Sequence, residues 1–255
     1  MGPVTSEFLK LKRSTSWAVV VLLPVIMVIA GSVSTLAGDG GFADGWHTLW
    51  IRSIGFYGMV ILSVGIAILA SLVWRVEHRN SNWNALMSGP VPTAHVVLGK
   101  LAAIAVLAAA MQLVFVATVI VLGRVAFGLP GMLPAEYYVS SVLVIVACVP
   151  VAALQSALST FFRSFAAPVA IALVCTGACT MALLLGVDVV AVLPYALLTQ
   201  ATQIGTALVS GEATSFEASA LTLQSAAFVV LVAVVLTAVI VAVTSMLLDR
   251  SDTRV

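Results

Sequence analysis

Charged side chains are scarce in this sequence: Asp, Glu, Lys and Arg make up 8% of its 255 residues, where soluble domains average about a quarter. With 62% of positions hydrophobic, there is too little polar surface to face water, which excludes a soluble globular domain. The 11 basic and 10 acidic residues leave a net charge of +1, so no basic field exists to hold nucleic acid. Histidine is rarer still. His47, His78 and His95 fall in loops or at the ends of hydrophobic runs, which excludes a bis-histidine haem pair across a bilayer and a membrane histidine beside a serine nucleophile. No H-E-x-x-H occurs, so the common intramembrane zinc-protease arrangement is also excluded. Cys148, Cys175 and Cys179 lie inside apolar runs and read as small apolar fillers rather than a disulfide framework. Cys175 and Cys179 share a helix face, but the further ligands of a metal site are missing. Gly99-Lys100 ends like a phosphate-binding loop, yet Ala94 and Leu101 stand where that motif needs a glycine and a Ser or Thr. The sequence therefore predicts no catalytic residues, no metal and no cofactor bound by this chain.

What is present is hydrophobic length. Six runs can cross a bilayer: 17–37, 50–74, 96–123, 137–160, 167–186 and 223–248, each near the roughly 20 residues that a spanning helix needs. The first follows Lys10, Lys12 and Arg13; it is longer than a signal-peptide core and has no A-x-A exit, so it is expected to stay as a span. An even number of spans puts both termini on one side. That side collects nine of the Lys and Arg residues, from Lys10 through Arg79, Lys100 and Arg163 to Arg254, and the other only Arg52 and Arg124. The asymmetry predicts cytoplasmic termini. Trp17, Trp46, Trp50, Trp74, Tyr137, Tyr138 and Tyr195 stand near run ends, where amphipathic rings form a headgroup belt. Gly55, Gly58 and Gly65, and Ala102, Ala105 and Ala109, are small residues at helical spacing that permit close helix packing. The expectation is an all-α membrane protein with one transmembrane domain over residues 1–255.

Three segments outside the spans carry the remaining information. Residues 1–16 place Val4, Phe8 and Leu11 on one helical face with Lys10, Lys12 and Arg13 on others, the pattern of an interfacial helix on an anionic leaflet; an irregular basic tail is the alternative. The 75–95 loop is the longest polar stretch on the cytoplasmic side. Its first half can form a short helix bearing Trp83, Leu86 and Met87 before Gly89-Pro90-Val91-Pro92 breaks it, a knob on which a soluble partner could dock. The external 187–222 segment includes an apolar stretch from Val189 to Leu198, too short to cross about 30 Å of hydrocarbon. It predicts a re-entrant segment, broken near Pro194, that caps or lines a central path. Ion-coupled transport usually places a charge at mid-membrane, whereas the deep polar groups here are Gln112 and Gln155. Such a lining suits an apolar or amphipathic substrate.

Six spans with inside termini, an N-terminal interfacial helix, a knob between spans two and three and a re-entrant segment between spans five and six resemble an ABC-2 type exporter permease. The local text, S-E-F-L-K-L-K-R-S at Ser6 to Ser14, then Glu77, Asn82-Trp83, Leu86, Pro90 and Gly99-Lys100, is similar to the permeases of bacteriocin (lantibiotic) immunity and antimicrobial-peptide resistance exporters of bacterial plasma membranes. The resemblance implies a second permease chain, identical or, more commonly in that branch, different. It also implies separate ATP-binding subunits carrying ATP and Mg, which receive a coupling helix formed by residues 77–87. Glu77, Asn82, Trp83, Leu86 and Met87 then contact the ATPase. From the residues alone, Trp83 also fits an anchor lying flat on the membrane, and Glu77 a solvated partner of Arg75 or Arg79. A non-transporting scaffold or sensor subunit, and a secondary transporter, are the competing functions.

Overall fold

The computed structural model describes residues 14–37, 45–78, 92–204 and 221–252. The predicted interfacial helix falls almost wholly outside them, as do Asn82, Trp83, Leu86 and Met87 of the knob and the second half of the external segment. The described residues are helical without strands. Six helices are long and apolar enough to cross a membrane. The first is α1 (Ser16–Leu36). The second span, Trp46–His78, is α2 (Trp46–Phe56), a π-helical turn at Tyr57–Ile61 and α3 (Leu62–His78). Then come α4 (Thr93–Val121), α5 (Ala135–Phe161) and α6 (Ala166–Leu184). A short α7 (Pro194–Gln203) precedes α8 (Leu223–Asp252). These six spans coincide with the six hydrophobic runs to within a few residues at each end. Pro24 and Pro150 lie inside α1 and α5, and Pro92 stops α4 from extending backwards.

The second and fourth spans form the centre of the bundle. α5 packs against α3, α4, α6, α7 and α8, and 61% of its most apolar stretch is buried, against 11% for α8, which leaves most of its surface outside the bundle. An aromatic stack runs through this centre. Trp50 stacks on Tyr137 at 4.7 Å and meets Phe115 edge-on at 5.4 Å, and Tyr57 stacks on Phe115 at 4.7 Å. His47 hydrogen-bonds the Tyr137 hydroxyl, and the Trp46 indole donates to the carbonyl of Pro130 at 2.8 Å. The predicted aromatic belt is thereby corrected. Trp46, Trp50, Trp74, Tyr137 and Tyr195 are buried in protein, and only Trp17 and Tyr138 among those seven remain exposed. Proximity to a run end did not distinguish the two, because an indole or phenol with an internal partner is as well satisfied inside as at a headgroup.

The chain after α6 turns back into the bundle. Gly186 adopts a left-handed φ of 76° and the Val187 N–H returns to the Ala182 carbonyl at 3.0 Å, a glycine C-cap that ends the helix. A 3₁₀ turn (Asp188–Val192) leads to Pro194, the first residue of α7. Tyr195 then meets Gln155, which lies roughly 30 Å along α5 from Ala135, at 1.5 Å per residue. The segment thus dips deep beside α5, and α7, only about 15 Å long, climbs back. Its far end seats on the π-turn: a Cβ at Gly58 would stand 2.1 Å from the Thr202 hydroxyl. The Thr180 hydroxyl donates to the Met59 carbonyl at 3.0 Å, covering one of the backbone acceptors that a π-turn displaces.

Close helix approach gives a direct test. A Cβ at Gly31 would come within 2.8 Å of the Ser53 backbone, which cannot rotate away, whereas Gly55 has nothing within 4 Å. Gly31→Ala is expected to destabilise the bundle by about 1–3 kcal/mol, and Gly55→Ala to be neutral or slightly stabilising. Thermal unfolding in detergent compares the two.

Candidate functional site: the base of the 75–95 loop

The loop leaves from α3 and rejoins at α4, and two stripes on α3 tie this junction together. Val73 and Glu77 are four residues apart and share one face; Ser71, Trp74 and His78, spaced by three and four, share the neighbouring one. The first stripe meets α4. The Lys100 ammonium donates to a Glu77 carboxylate oxygen at 2.8 Å and approaches the Val73 carbonyl at 3.5 Å. It also lies 5.2 Å from the centre of the Trp74 ring, within cation–π range. The side chains of Lys100 and Glu77 are 0% and 5% exposed. Two charges so deeply buried forgo water, and each supplies the other with a counter-charge at contact distance, which offsets part of that loss.

The second stripe meets α5. The Trp74 indole N–H donates to the Ser156 hydroxyl at 2.9 Å, and the Ser71 and Ser159 hydroxyls are 3.4 Å apart. His78 Nε2 lies 2.8 Å from the Ser159 carbonyl, so this nitrogen must carry the proton that is donated. Ser159 is in the last turn of α5, where carbonyls have no partner within the helix. The junction therefore locks α3, α4 and α5 together where the loop enters and leaves.

Glu77, expected at the partner surface, is buried and bonded to Lys100 within this chain; of its alternative solvated partners, Arg75 forms no ion pair among the described residues and Arg79 lies outside them. Lys100, counted with the surface charges, is fully buried. Gln112 and Gln155 are both fully buried. Gln112 donates to Ser141 at 3.3 Å, and Gln155 pairs with the Tyr195 hydroxyl at 2.5 Å. Each leaves its amide oxygen without a hydrogen-bond partner among the described residues. Burial is the main cause raising the Tyr195 phenol above its ordinary pKa, so it stays protonated beside Gln155. The sequence reading did not single out Lys100, Trp74 or His78 as one assembly. The available signal was the 71/74/78 stripe beside 73/77, with a lysine two turns inside an otherwise apolar run.

Removing one member of the pair takes a contact counter-charge from the other buried group. Lys100→Met or Glu77→Met alone is expected to cost about 3–5 kcal/mol, while the double variant is expected to recover most of that loss. Equilibrium unfolding of the three variants in detergent checks the non-additivity, and equal, additive losses would refute the pairing.

Residues 4–178 match the family model described as ABC-2 family transporter protein, a region that runs from before α1 into α6 and includes the entire α3–α4–α5 junction. No curated protein matches the chain, and no solved structure does. The match covers just over two thirds of the sequence, and the bundle has six helices long and apolar enough to cross a membrane: the chain belongs to the ABC-2 family of transporter membrane proteins.

Proposed function

We propose that this chain is the permease subunit of an ATP-driven exporter, expelling an amphipathic or hydrophobic substrate such as an antimicrobial peptide, a lipid or a drug. The observation that carries the reading is the locked junction. A force applied to the 79–91 loop reaches α4 through Glu77–Lys100 and α5 through Trp74–Ser156 and His78–Ser159, and α5 packs against five other helices. A rigid root of this kind is what a docking loop needs if it is to move a membrane bundle rather than flex beneath it. Family membership supports the wider assignment, in which ATP and Mg are held by a separate ATP-binding subunit and this chain pairs with a second permease.

In this scheme Asn82, Trp83, Leu86 and Met87 contact the ATPase, with Trp83 the large anchor of the type that dominates interfaces. Glu77 acts as a positioning residue behind them. The termini and the loop face the cytoplasm of a bacterium, following the distribution of Lys and Arg. Gln112 and Gln155 line the substrate path, with α7 its cap on the outer side; the Tyr195–Gln155 contact holds that cap closed, and the unpartnered amide oxygens are available to substrate once it moves. The local text around Ser6–Ser14 and Glu77–Lys100 favours the lantibiotic-immunity branch and a heterodimer of permeases.

The test is reconstitution. With the cognate ATPase in proteoliposomes, the wild-type chain is expected to move a labelled amphipathic peptide only when ATP is supplied. Trp83→Ala with Leu86→Ala is expected to insert normally yet weaken co-purification with the ATPase on the order of 10- to 30-fold. Undiminished binding and export in that variant would sink the coupling role. Ionophore-sensitive movement without an ATPase would sink the exporter reading, and ligand binding without movement would favour a sensor subunit.

A further inference from the structure

A cavity of about 430 Å³ opens beside the junction, on the flank of α3 away from α4. Ser71, Arg75 and His78, spaced by four and three along α3, form one wall, and Ser159 and the 162–165 link between α5 and α6 form the other. Its chemistry is one-sided. Arg75 and Arg163 are both exposed, and neither makes an ion pair among the described residues. The hydroxyls of Ser71, Ser159 and Ser164 add donors, and no Asp or Glu among the described residues lines the cavity. The nearest described carboxylate along α3, Glu77, is engaged with Lys100 on the adjoining face. Two guanidinium groups and serine hydroxyls around a void of this size form a receptor for a phosphate-bearing group, since a guanidinium fork matches phosphate oxygens two at a time. The amino end of α6, which starts at Ala166, adds the positive end of its dipole.

The surroundings of the cavity identify the source of the phosphate. α5 ends at Phe161 and α6 begins at Ala166, so two membrane-crossing helices are joined by four residues, and their link cannot project away from the bilayer. Phe162 and Phe165, which also line the cavity, are 43% and 42% exposed, with Phe161 and Val76 exposed nearby. Cationic groups within a rim of exposed apolar rings, at the level where the helices emerge, match a lipid headgroup with its acyl chains alongside. A soluble partner would meet a recessed and partly greasy opening.

We propose that the Arg75–Arg163 cavity binds the phosphate of an anionic phospholipid, which fixes the α3 and α5 ends relative to the membrane surface. Native mass spectrometry of the full chain in detergent, with any partner chains that co-purify, tests this without reference to sidedness. The probes are phosphatidylglycerol and phosphatidylcholine. The wild type is expected to retain phosphatidylglycerol in preference to phosphatidylcholine, and Arg75→Gln with Arg163→Gln to lower that retention roughly thirtyfold, about fivefold per charge, leaving phosphatidylcholine unchanged. The corresponding double Lys variant is expected to keep most of the retention. Arg163→Gln alone, an exposed change in the link, provides the reading if the double variant does not fold, with an expected fall of about fivefold. Equal phosphatidylglycerol retention by wild type and Gln variants would overturn the proposal. So would displacement of the lipid by millimolar inorganic phosphate that itself stays bound, which would indicate a site for free phosphate. Loss of a co-purifying partner with lipid retention intact would overturn it in favour of a protein contact.

Discussion

A charge inside a helical bundle that spans a membrane is held only where a neighbouring helix brings its opposite into contact. Glu77 and Lys100 meet that condition, and much of the architecture around them can be read as its consequence. The carboxylate is on α3 and the ammonium on α4, so these two helices cannot slide or rotate against each other without exposing a bare charge to apolar surroundings. Trp74, held on one side by the ammonium and on the other by Ser156, extends the same constraint to α5. His78 completes it by covering a carbonyl that the end of α5 cannot satisfy itself. Specificity of helix register, rather than net stability, is what such a buried pair contributes best.

The bundle has two kinds of contact, in different proportions along its length. Around the junction a buried ion pair and directed polar bonds predominate. Further along, scattered polar bonds accompany close contacts of shape: Gly31 against the α2 backbone, Gly58 under Thr202, and Trp50, Phe115, Tyr57 and Tyr137 in one stack. In a membrane, where lipid is as apolar as leucine, close packing and hydrogen bonds replace the hydrophobic drive between helices. A region held by shape can re-pack when a helix shifts, whereas a region held by a buried ion pair moves as one body. That division suits a transporter that must be stiff at one end and adjustable in its interior.

Most of the fold was legible in the sequence because hydrophobic length is a one-dimensional signal. The six runs and the inadequate length of the 189–198 stretch, with its break near Pro194, were all read from spacing and side-chain type. Pairing across the bundle was not legible. Nothing in the order of residues says that Lys100 points back to Glu77, because a lysine one or two turns inside a span could equally reach out to the headgroups along its flexible stem. Trp50 and Tyr137 were placed at the lipid boundary for the same reason: their distance from a run end is visible in sequence, while the partner that draws each ring inward is on another helix. Gln155 was recognised as a deep polar group, but Tyr195, its partner, stood in a segment with no regular pattern. The contact residues proposed at the ATPase lie in the loop beyond His78, outside the described residues.

The central position of α5 has a consequence for how the protein is made. It is made after α1 to α4, and α3, α4, α6, α7 and α8 all pack against it. Until it arrives, the second and third spans must wait in the translocation site or the surrounding lipid with their inner faces unfilled. A lysine one or two turns inside a span would oppose that wait, by less than the roughly 3 kcal/mol of a charge at mid-membrane. Glu77 and Lys100, on consecutive spans, can neutralise each other before any later helix exists, so the hairpin they close can enter the bilayer as a unit that already has the correct register. The fourth span then inserts against a prepared surface, and the order of synthesis becomes an order of assembly.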